Sequence, residues 1–160
     1  MQFLNFAALS IALIMLPTSV NWTAPAIAAE SQSAATATPE MSTVEVHFTG
    51  IQLPTGTVML ALFDSEAAYS GDGAPVHTSF APVQDGTATL TITGLASGQY
   101  AIKAFHDVDG DGKMGANPFG MPTEPFAFSN NAQGKMGPAV WADAKFDVAA
   151  GTTVQTITIQ

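Results

Sequence analysis

Apolar and polar residues alternate along the chain from position 43 onward, which is the pattern of half-buried β-strands. Val44, Val46 and Phe48 each lie between polar residues, and the segment 87–93 repeats the same alternation. No stretch in this part of the chain shows a convincing helical period. The pattern therefore predicts an all-β domain.

Turn signals separate the alternating segments at intervals of about ten residues. Strands are predicted at 43–49, 57–63, 76–83, 87–93, 99–106, 140–148 and 152–159. Segment 57–63 is apolar on both faces and predicts a central strand, whereas Pro82 predicts an edge position for 76–83. About seven strands at this spacing predict an antiparallel β-sandwich of the immunoglobulin or transthyretin kind, with one long loop.

Three local features refine this prediction. Asp85-Gly86 between two strand-like segments predicts a tight hairpin turn. One helical turn is expected around 65–69, in the loop after segment 57–63. The segment Leu95-x-x-Gly98-x-Tyr100 is similar to a tyrosine corner, in which the phenol bonds to upstream backbone. That similarity indicates a structural role for the tyrosine.

The N-terminal residues differ from the rest of the chain. An apolar run at 3–16 precedes Pro17 and a small-residue stretch that ends in Ala28-Ala29. This order is typical of a signal peptide, and the run is shorter than the about 20 residues of a spanning helix. We therefore predict a signal peptide at 1–28, a disordered linker at 29–42 and a β-sandwich domain at 43–160. The mature protein is expected to be periplasmic or secreted, with no membrane span after cleavage.

Composition narrows the range of partners. The net charge is −9, with four basic residues, all lysine, and no cysteine. A chain this acidic lacks the basic surface that nucleic acids require, which argues against nucleic-acid binding. Without cysteine the fold has no disulfides, and a hydrophobic core must stabilise it.

The densest group of charged residues follows the strand predicted at 99–106. Asp107, Asp109 and Asp111 alternate with single residues, and Gly112 follows. This is the spacing of the first half of an EF-hand loop, whose aspartates direct oxygen atoms at Ca²⁺. Without a cation, each close pair of carboxylates costs about 1 kcal/mol through repulsion. The spacing therefore predicts a Ca²⁺ site on this loop.

The second half of the loop departs from the EF-hand motif. Position twelve, which holds a glutamate in an EF-hand, is Pro118, and no helix flanks the loop. Further ligands are therefore expected among the side chains of Asn117, Glu124 and Asn130 and the backbone carbonyl of Lys113. Two alternatives stay open: a tight Asp-Gly turn without an ion, and a Zn²⁺ site that includes His106.

Aromatic residues and prolines fill the rest of the long loop. Such a loop is usually functional or disordered, and the aromatic content argues against disorder. The aromatic residues either line an apolar or sugar-binding groove or seal the open end of the sandwich. The four candidates are Phe119, Phe126, Phe128 and Trp141.

Candidate catalytic residues are scarce. Ser129 lacks the Gly-x-Ser-x-Gly setting of a serine hydrolase, and cysteine is absent. Asp107 and Glu124 are candidates for the acid and base of a glycosidase, but the sequence implies no substrate cleft. The sequence therefore favours a non-enzymatic role.

Three strings of residues resemble one family. They are Gly94-Leu95-x-x-Gly98-x-Tyr100-Ala101, His106-Asp107-x-Asp109-Gly110-Asp111-Gly112-Lys113, and Gly120-Met121-Pro122-x-Glu124-Pro125-Phe126-x-Phe128-Ser129-Asn130-Asn131. Over residues 43–160 the chain resembles the bacterial family called domain of unknown function 2141. The resemblance implies an exported β-sandwich without an established activity, in which the Asp loop and the Glu-Pro-Phe segment form one feature. Relatives often carry Asn at position 109 and Asp at position 115, so Gly115 removes one potential oxygen donor.

The leading hypothesis is an exported binding module for an envelope or extracellular ligand, with a Ca²⁺-stabilised Asp-rich loop. The first alternative is a structural or adhesive cell-envelope protein without an ion site, which acts through edge-strand pairing or assembly. The second alternative is a hydrolase that uses Asp107 and Glu124.

Overall fold

The computed structural model describes residues 41–160. The strands are β1 (Ser42–Thr49), β2 (Thr57–Phe63), β3 (His77–Pro82), β4 (Ala88–Leu95), β5 (Gly98–Asp107), β6 (Phe126–Phe128), β7 (Phe146–Val148) and β8 (Thr152–Thr158). A four-residue helix, α1 (Trp141–Ala144), and two short helical turns, Ala68–Asp72 and Ser129–Asn131, complete these elements. The predicted signal peptide and the linker up to residue 40 lie outside the described residues, and β1 begins one residue before the predicted domain boundary.

Two sheets pack face to face and enclose the main core. One sheet has the order β4-β1-β8, and the other has the order β3-β2-β5-β6, with β7 paired to β5. β6 and β7 pair with opposite ends of β5 along the edge that β2 leaves free. The core between the sheets includes the fully buried Phe48, Leu62, Ile92, Ile102 and Ile157. The predicted two-sheet, mostly β architecture is confirmed.

The predicted alternation places the expected residues inside. In β1, Val44, Val46 and Phe48 are fully buried, while the intervening residues are half-exposed. β2 lies between β3 and β5, as predicted for a central strand, and β3 is an edge strand. These positions follow from burial on one face of each strand, because side chains along a strand point alternately to opposite faces.

The predicted turns also form. Asp85 and Gly86 both have positive φ angles, 50° and 74°, which a two-residue hairpin turn of type I′ requires. The Tyr100 hydroxyl donates a 2.9 Å hydrogen bond to the carbonyl of Ala96, as in a tyrosine corner. A helical turn lies at Ala68–Asp72, slightly later in the chain than expected.

The prediction of an entirely antiparallel fold is wrong for one pair of strands. β8 runs parallel to β1, with Thr43 opposite Thr152 and Thr49 opposite Thr158. Period-two alternation does not report strand direction, because either direction buries the same residues. There are also eight described strands, one more than predicted.

The segment 107–148 differs most from its prediction. The long loop contains a short strand, β6, and the predicted strand 140–148 is instead α1 followed by the three-residue β7. A helix of four residues is too short to show a helical period, so its sequence gives no periodic signal. Val140, predicted as a strand residue, is exposed and precedes α1.

A second apolar cluster covers the outer face of the five-stranded sheet. Phe63, Tyr69, Phe128 and Trp141 are buried there, and α1 and the helical turn Ala68–Asp72 lie over the sheet. The Tyr69 ring packs edge-on against Phe63 and Trp141, with centroid distances of 5.6 and 5.8 Å. We call this group the outer cluster. It explains why the second half of the chain is ordered despite its weak alternation.

Candidate functional site

Strand β5 delivers the acidic residues to one end of the fold. His106 and Asp107 are its last two residues, and both are buried. The His106 ring donates a 2.6 Å hydrogen bond from Nε2 to the carbonyl of Thr55, since a carbonyl oxygen can only accept. His106 therefore packs beneath the loop, and its Nε2 is unavailable as a Zn²⁺ ligand.

Asp107 organises the first turn of the acidic loop, which we define as residues 107–124. Its Oδ1 accepts a 2.8 Å bond from the N–H of Gly110, and its Oδ2 accepts a 3.0 Å bond from the N–H of Gly112. Both glycines have positive φ angles, of 80° and 74°, which glycine adopts with little strain. The Asp-x-x-Gly-x-Gly spacing thus wraps the backbone around one buried carboxylate.

Glu124 closes the acidic loop from its far end. Its Oε1 accepts a 2.9 Å bond from the N–H of Val108, and its Oε2 accepts a 2.8 Å bond from the N–H of Gly115. One carboxylate oxygen from each of Asp107, Asp109 and Glu124 lies within 4.8 Å of the other two. Glu124, distant in sequence from the aspartate repeat, therefore completes a three-carboxylate group with the spacing of a cation site.

The other predicted ligands lie differently. Asp111 is exposed and outside this group of three, and its Oδ1 accepts a 2.8 Å bond from the N–H of Lys113. The Oδ1 of Asn117 accepts bonds from the N–H groups of Phe119 and Met121, at 2.9 and 3.0 Å. The Asn117 side chain thus stabilises a separate turn at residues 117–121.

Gly115 packs closely against Thr123 and Glu124, the last residues of the acidic loop. A Cβ atom on Gly115 would lie 2.7 Å from the Thr123 hydroxyl oxygen and 3.6 Å from Oε2 of Glu124. The backbone of Gly115 also accepts a 2.8 Å bond from the N–H of Thr123. A larger residue there requires rotation of the Thr123 side chain, and glycine lets the loop close directly on Glu124.

Within the acidic loop, the aromatic side chain of Phe119 is exposed to solvent. Ala116 and Pro122 form an isolated bridge, so residues 116–122 fold as a small hairpin. Phe119 lies at its tip and is 90% exposed, and Met121 is also exposed. The Asn117 side chain and a 2.8 Å bond from the N–H of Gly120 to the Asn117 carbonyl hold this tip in place.

The four predicted groove residues do not share one surface. Phe128 and Trp141 are buried in the outer cluster, Phe126 is half-buried against it, and Phe119 lies away on the hairpin tip. The Phe126 and Phe128 rings contact each other edge-on at 5.7 Å between centroids. A cavity of about 120 Å³ adjoins these two residues and is also lined by Asn131, Gln133, Gly134 and Gln160.

Ser129 makes two buried contacts that sequence reasoning missed. Its hydroxyl accepts a 2.8 Å bond from the N–H of Ile102 in β5 and donates a 2.5 Å bond to the carbonyl of Ala144 in α1. Ser129 is fully buried. The only sequence signal for this role is a short polar string directly after an apolar strand.

The two asparagines that follow connect further segments. The Asn130 amide donates to the carbonyls of Asp143, Ala144 and Lys145 at the end of α1, at 3.3, 3.3 and 2.8 Å. It therefore caps α1, although the sequence suggested a metal ligand. The Asn131 amide bonds the edge of β8 at two points, donating to Thr156 O at 3.2 Å and accepting from Thr158 N at 2.7 Å. We call Ser129–Asn131 the polar clamp.

Lys103 and Tyr69 form a cation–π contact on the outer face of β5. The Lys103 ammonium lies 4.3 Å from the Tyr69 ring centroid and donates a 2.6 Å bond to the Tyr69 carbonyl. Burial lowers the pKa of Lys103 and raises the pKa of Tyr69 to about 12. The buried Tyr69 hydroxyl has no hydrogen-bond partner among the described residues.

Comparison with known proteins identifies one match. A family model described as "Uncharacterized protein conserved in bacteria (DUF2141)" matches residues 46–156, which is more than half of the chain. No curated protein and no solved structure matches the chain. Within residues 41–160, no helix is long and apolar enough to cross a bilayer.

Proposed function

We propose that this chain, which belongs to the bacterial family DUF2141, is an exported, non-enzymatic binding module with a Ca²⁺-stabilised acidic loop. The convergence of Asp107, Asp109 and Glu124, with oxygen atoms within 4.8 Å of one another, carries the proposal. Three carboxylates this close repel one another, and a cation removes that repulsion.

The chemistry of the donors favours Ca²⁺. All three side chains offer oxygen, the donor that hard cations prefer, and no described histidine belongs to the group. The backbone N–H bonds to Asp107 and Glu124 orient these carboxylates before a cation arrives. Each carboxylate oxygen retains a second lone pair for the metal. Water or loop carbonyls, such as that of Lys113, would complete the six to eight ligands of Ca²⁺.

The bound ion would hold the loop between β5 and β6 in one conformation. The hairpin tip with Phe119 belongs to the same loop and presents exposed apolar surface, which often marks an interaction site. An envelope or extracellular ligand would contact this tip. A hydrolytic role for Asp107 and Glu124 has less support, because Asp107 is 3% exposed and both of its oxygens accept backbone N–H bonds.

Thermal melting at constant ionic strength tests the Ca²⁺ site. At a Ca²⁺ concentration 100-fold above Kd, binding stabilises the folded chain by about 2.7 kcal/mol. The expected rise in Tm is roughly 10 °C. Asp109→Ala and Glu124→Gln should each abolish most of this rise, because each removes a carboxylate from the group.

Two variants serve as comparisons for that experiment. Asp72→Ala removes the same charge from an exposed position outside the acidic loop and should leave the Ca²⁺ response intact. Asp111→Ala decides whether Asp111 is also a ligand: a retained response confines the site to the three-carboxylate group. An unchanged wild-type Tm in millimolar Ca²⁺ would overturn the proposed site.

Export is the second element of this proposal. It is supported by the apolar run at 3–16 and the small residues up to Ala29. N-terminal sequencing of protein recovered from the periplasm or medium should begin at Ala29 or Glu30. Recovery of the chain only from the cytoplasm, with its first residues intact, would contradict export.

A further inference from the structure

The free edge of β8 is the basis of this inference, which does not depend on the Ca²⁺ site. β8 ends the three-stranded sheet, and β1 pairs with only one of its edges. The carbonyl of Gly151 accepts a bond from the N–H of Thr43, and the N–H of Ile159 donates a bond to the carbonyl of Thr49. The backbone groups of these two odd-numbered residues therefore point toward β1. The N–H and C=O of one strand residue point to the same side, and successive residues alternate between the two sides. The N–H and C=O groups of the even-numbered residues 152–158 therefore point away from β1.

The Asn131 side chain occupies part of this edge in the way a neighbouring strand would. Its amide N–H donates to the carbonyl of Thr156, and its amide oxygen accepts from the N–H of Thr158. A primary amide offers the same donor and acceptor as a peptide group. Asn131 thus closes the second half of the β8 edge, while no residue within 41–160 bonds the outward polar groups of Thr152 and Val154.

Residues 126–131 cover the second half of the β8 edge, where Phe126 and Gln160 also exchange backbone bonds, but the first half has no such cover among the described residues. The sequence of β8, Thr-Thr-Val-Gln-Thr-Ile-Thr, contains no charged residue and no proline. Val154 is exposed at the centre of the strand. Uncharged, unprotected edges invite pairing with another chain, and natural proteins block them with charges, prolines or covering segments.

The edge is complementary to itself. In an antiparallel pair centred on Val154, two copies exchange N–H and C=O bonds at that residue, and Thr152 faces Thr156 of the other copy. The strand carries no charge, so the net charge of the chain places no like charges opposite each other within this pair. Two-fold pairing of identical strands is the simplest closed assembly that such an edge supports.

We propose that the β8 edge is a self-association surface for a second copy of this chain, and that Asn131 keeps it closed. Release of Asn131 frees the carbonyl of Thr156 and the N–H of Thr158, and the Thr156 carbonyl is one of the groups that the antiparallel pair uses. The polar clamp therefore has two tasks: Ser129 and Asn130 stabilise the fold, and Asn131 prevents edge-to-edge pairing.

The test measures molar mass by light scattering during size-exclusion chromatography over a range of concentrations. The wild type should be monomeric. Asn131→Gly removes the amide but tolerates the positive φ of 52° at this position, and its apparent mass should double. Adding Val154→Lys to that variant should restore the monomer, because a lysine at the edge opposes pairing.

Asn130→Gly is the matched control. Asn130 has a similar φ of 58°, but its side-chain amide caps α1, and its bond to β8 comes from its backbone N–H to the Gln155 side chain, which a glycine retains. This variant should lose stability and stay monomeric. Equal association of both glycine variants would overturn the proposal, because general destabilisation would then be the cause.

Two further outcomes would also overturn it. One is a folded, monomeric Asn131→Gly, with folding judged by circular dichroism. The other is association that persists after Val154→Lys. If Asn131→Gly does not fold, Asn131→Asp answers the same question, because it loses the donor to Thr156 and keeps the acceptor for Thr158. That variant should also associate, and Val154→Lys should reverse the association.

Discussion

The acidic loop and the polar clamp use polar side chains in opposite ways. In the acidic loop, Asp107 and Asp109 accept N–H bonds from residues two to five positions further along the chain. In the polar clamp, the side chains of Ser129–Asn131 bond β5, α1 and β8, which are 13 to 27 positions away. The aspartates of the acidic loop thus fold it by local bonds, with Glu124 closing it from 9 and 16 positions away, whereas the polar clamp connects separate elements of the fold.

Charge accounts for the difference. The clamp is built from neutral hydroxyl and amide groups, whose hydrogen bonds leave no charge uncompensated. The acidic loop satisfies its hydrogen bonds and still keeps several negative charges close together. A complete neutral network has a structural role, whereas the hydrogen-bonded but uncompensated cluster is the place where we propose a cation. Two adjacent polar strings of one sequence therefore have different roles.

Removal of the Ser129 hydroxyl should have the largest effect. Ser129→Ala leaves the N–H of Ile102 buried without this partner and leaves the carbonyl of Ala144 with only the 3.3 Å bond from Asn130. We expect the free energy of unfolding, measured in urea, to fall by about 3–4 kcal/mol with and without Ca²⁺, since an unsatisfied buried group costs about 1–3 kcal/mol and a weakened bond adds to it. Ser70→Ala, at an exposed position, should change it by less than about 0.5 kcal/mol. A small loss in Ser129→Ala would show that the clamp is not structural.

Tyr69 provides a reference for both regions, because its buried hydroxyl has no hydrogen-bond partner within residues 41–160. Since the folded-state pKa is raised from 10.0 to about 12, stability is full below pH 10 and falls as pH rises toward 12. The expected loss is about 3 kcal/mol over that interval. Tyr69→Phe should remove this part of the alkaline loss without lowering stability at pH 7. Denaturant titrations at both ends of the interval check the slope, and an identical slope in the variant would contradict this role.

Neutralisation of Asp109 should have the smallest effect, of opposite sign. Asp109→Asn keeps an oxygen for the N–H of Asp111 but removes one charge from the acidic group. Without divalent cations, we expect stability to rise by about 1 kcal/mol at low salt and the gain to shrink as salt screens the charges. Melting in a chelator at two ionic strengths measures both. A destabilised variant would mean that hydrogen bonding, rather than repulsion, dominates the loop.

Much of the first half of the domain could be predicted from alternation. β1 and β4 bury one face against the core, and this burial produces the alternation of apolar and polar residues, whereas β2 was predicted from its continuous apolar run. The second half could not, because β6, α1 and β7 have three or four residues each and are held by the outer cluster. The residue pattern also could not predict that β8 runs parallel to β1, because alternation is the same for both directions.

The acidic loop was predicted in part, for a physical reason. The aspartate spacing located it, and Glu124 was expected as a ligand, but spacing cannot say which carboxylates converge in space. The structure brings Asp107 and Asp109 together with Glu124 and leaves Asp111 outside. Convergence depends on the turns at Gly110 and Gly112, whose geometry the sequence permits without specifying.

The parallel pair of β1 and β8 has a consequence for how the chain reaches its native state. Thr43 of β1 lies opposite Thr152 of β8. The central strand of the smaller sheet, β1, therefore lacks one neighbour until the ribosome has synthesised nearly the whole domain. Closing so large a loop is slow, since its entropy must be lost before the contact forms. Such a delay keeps the nascent polypeptide unfolded for longer, so the smaller sheet is the last part of the domain to become complete.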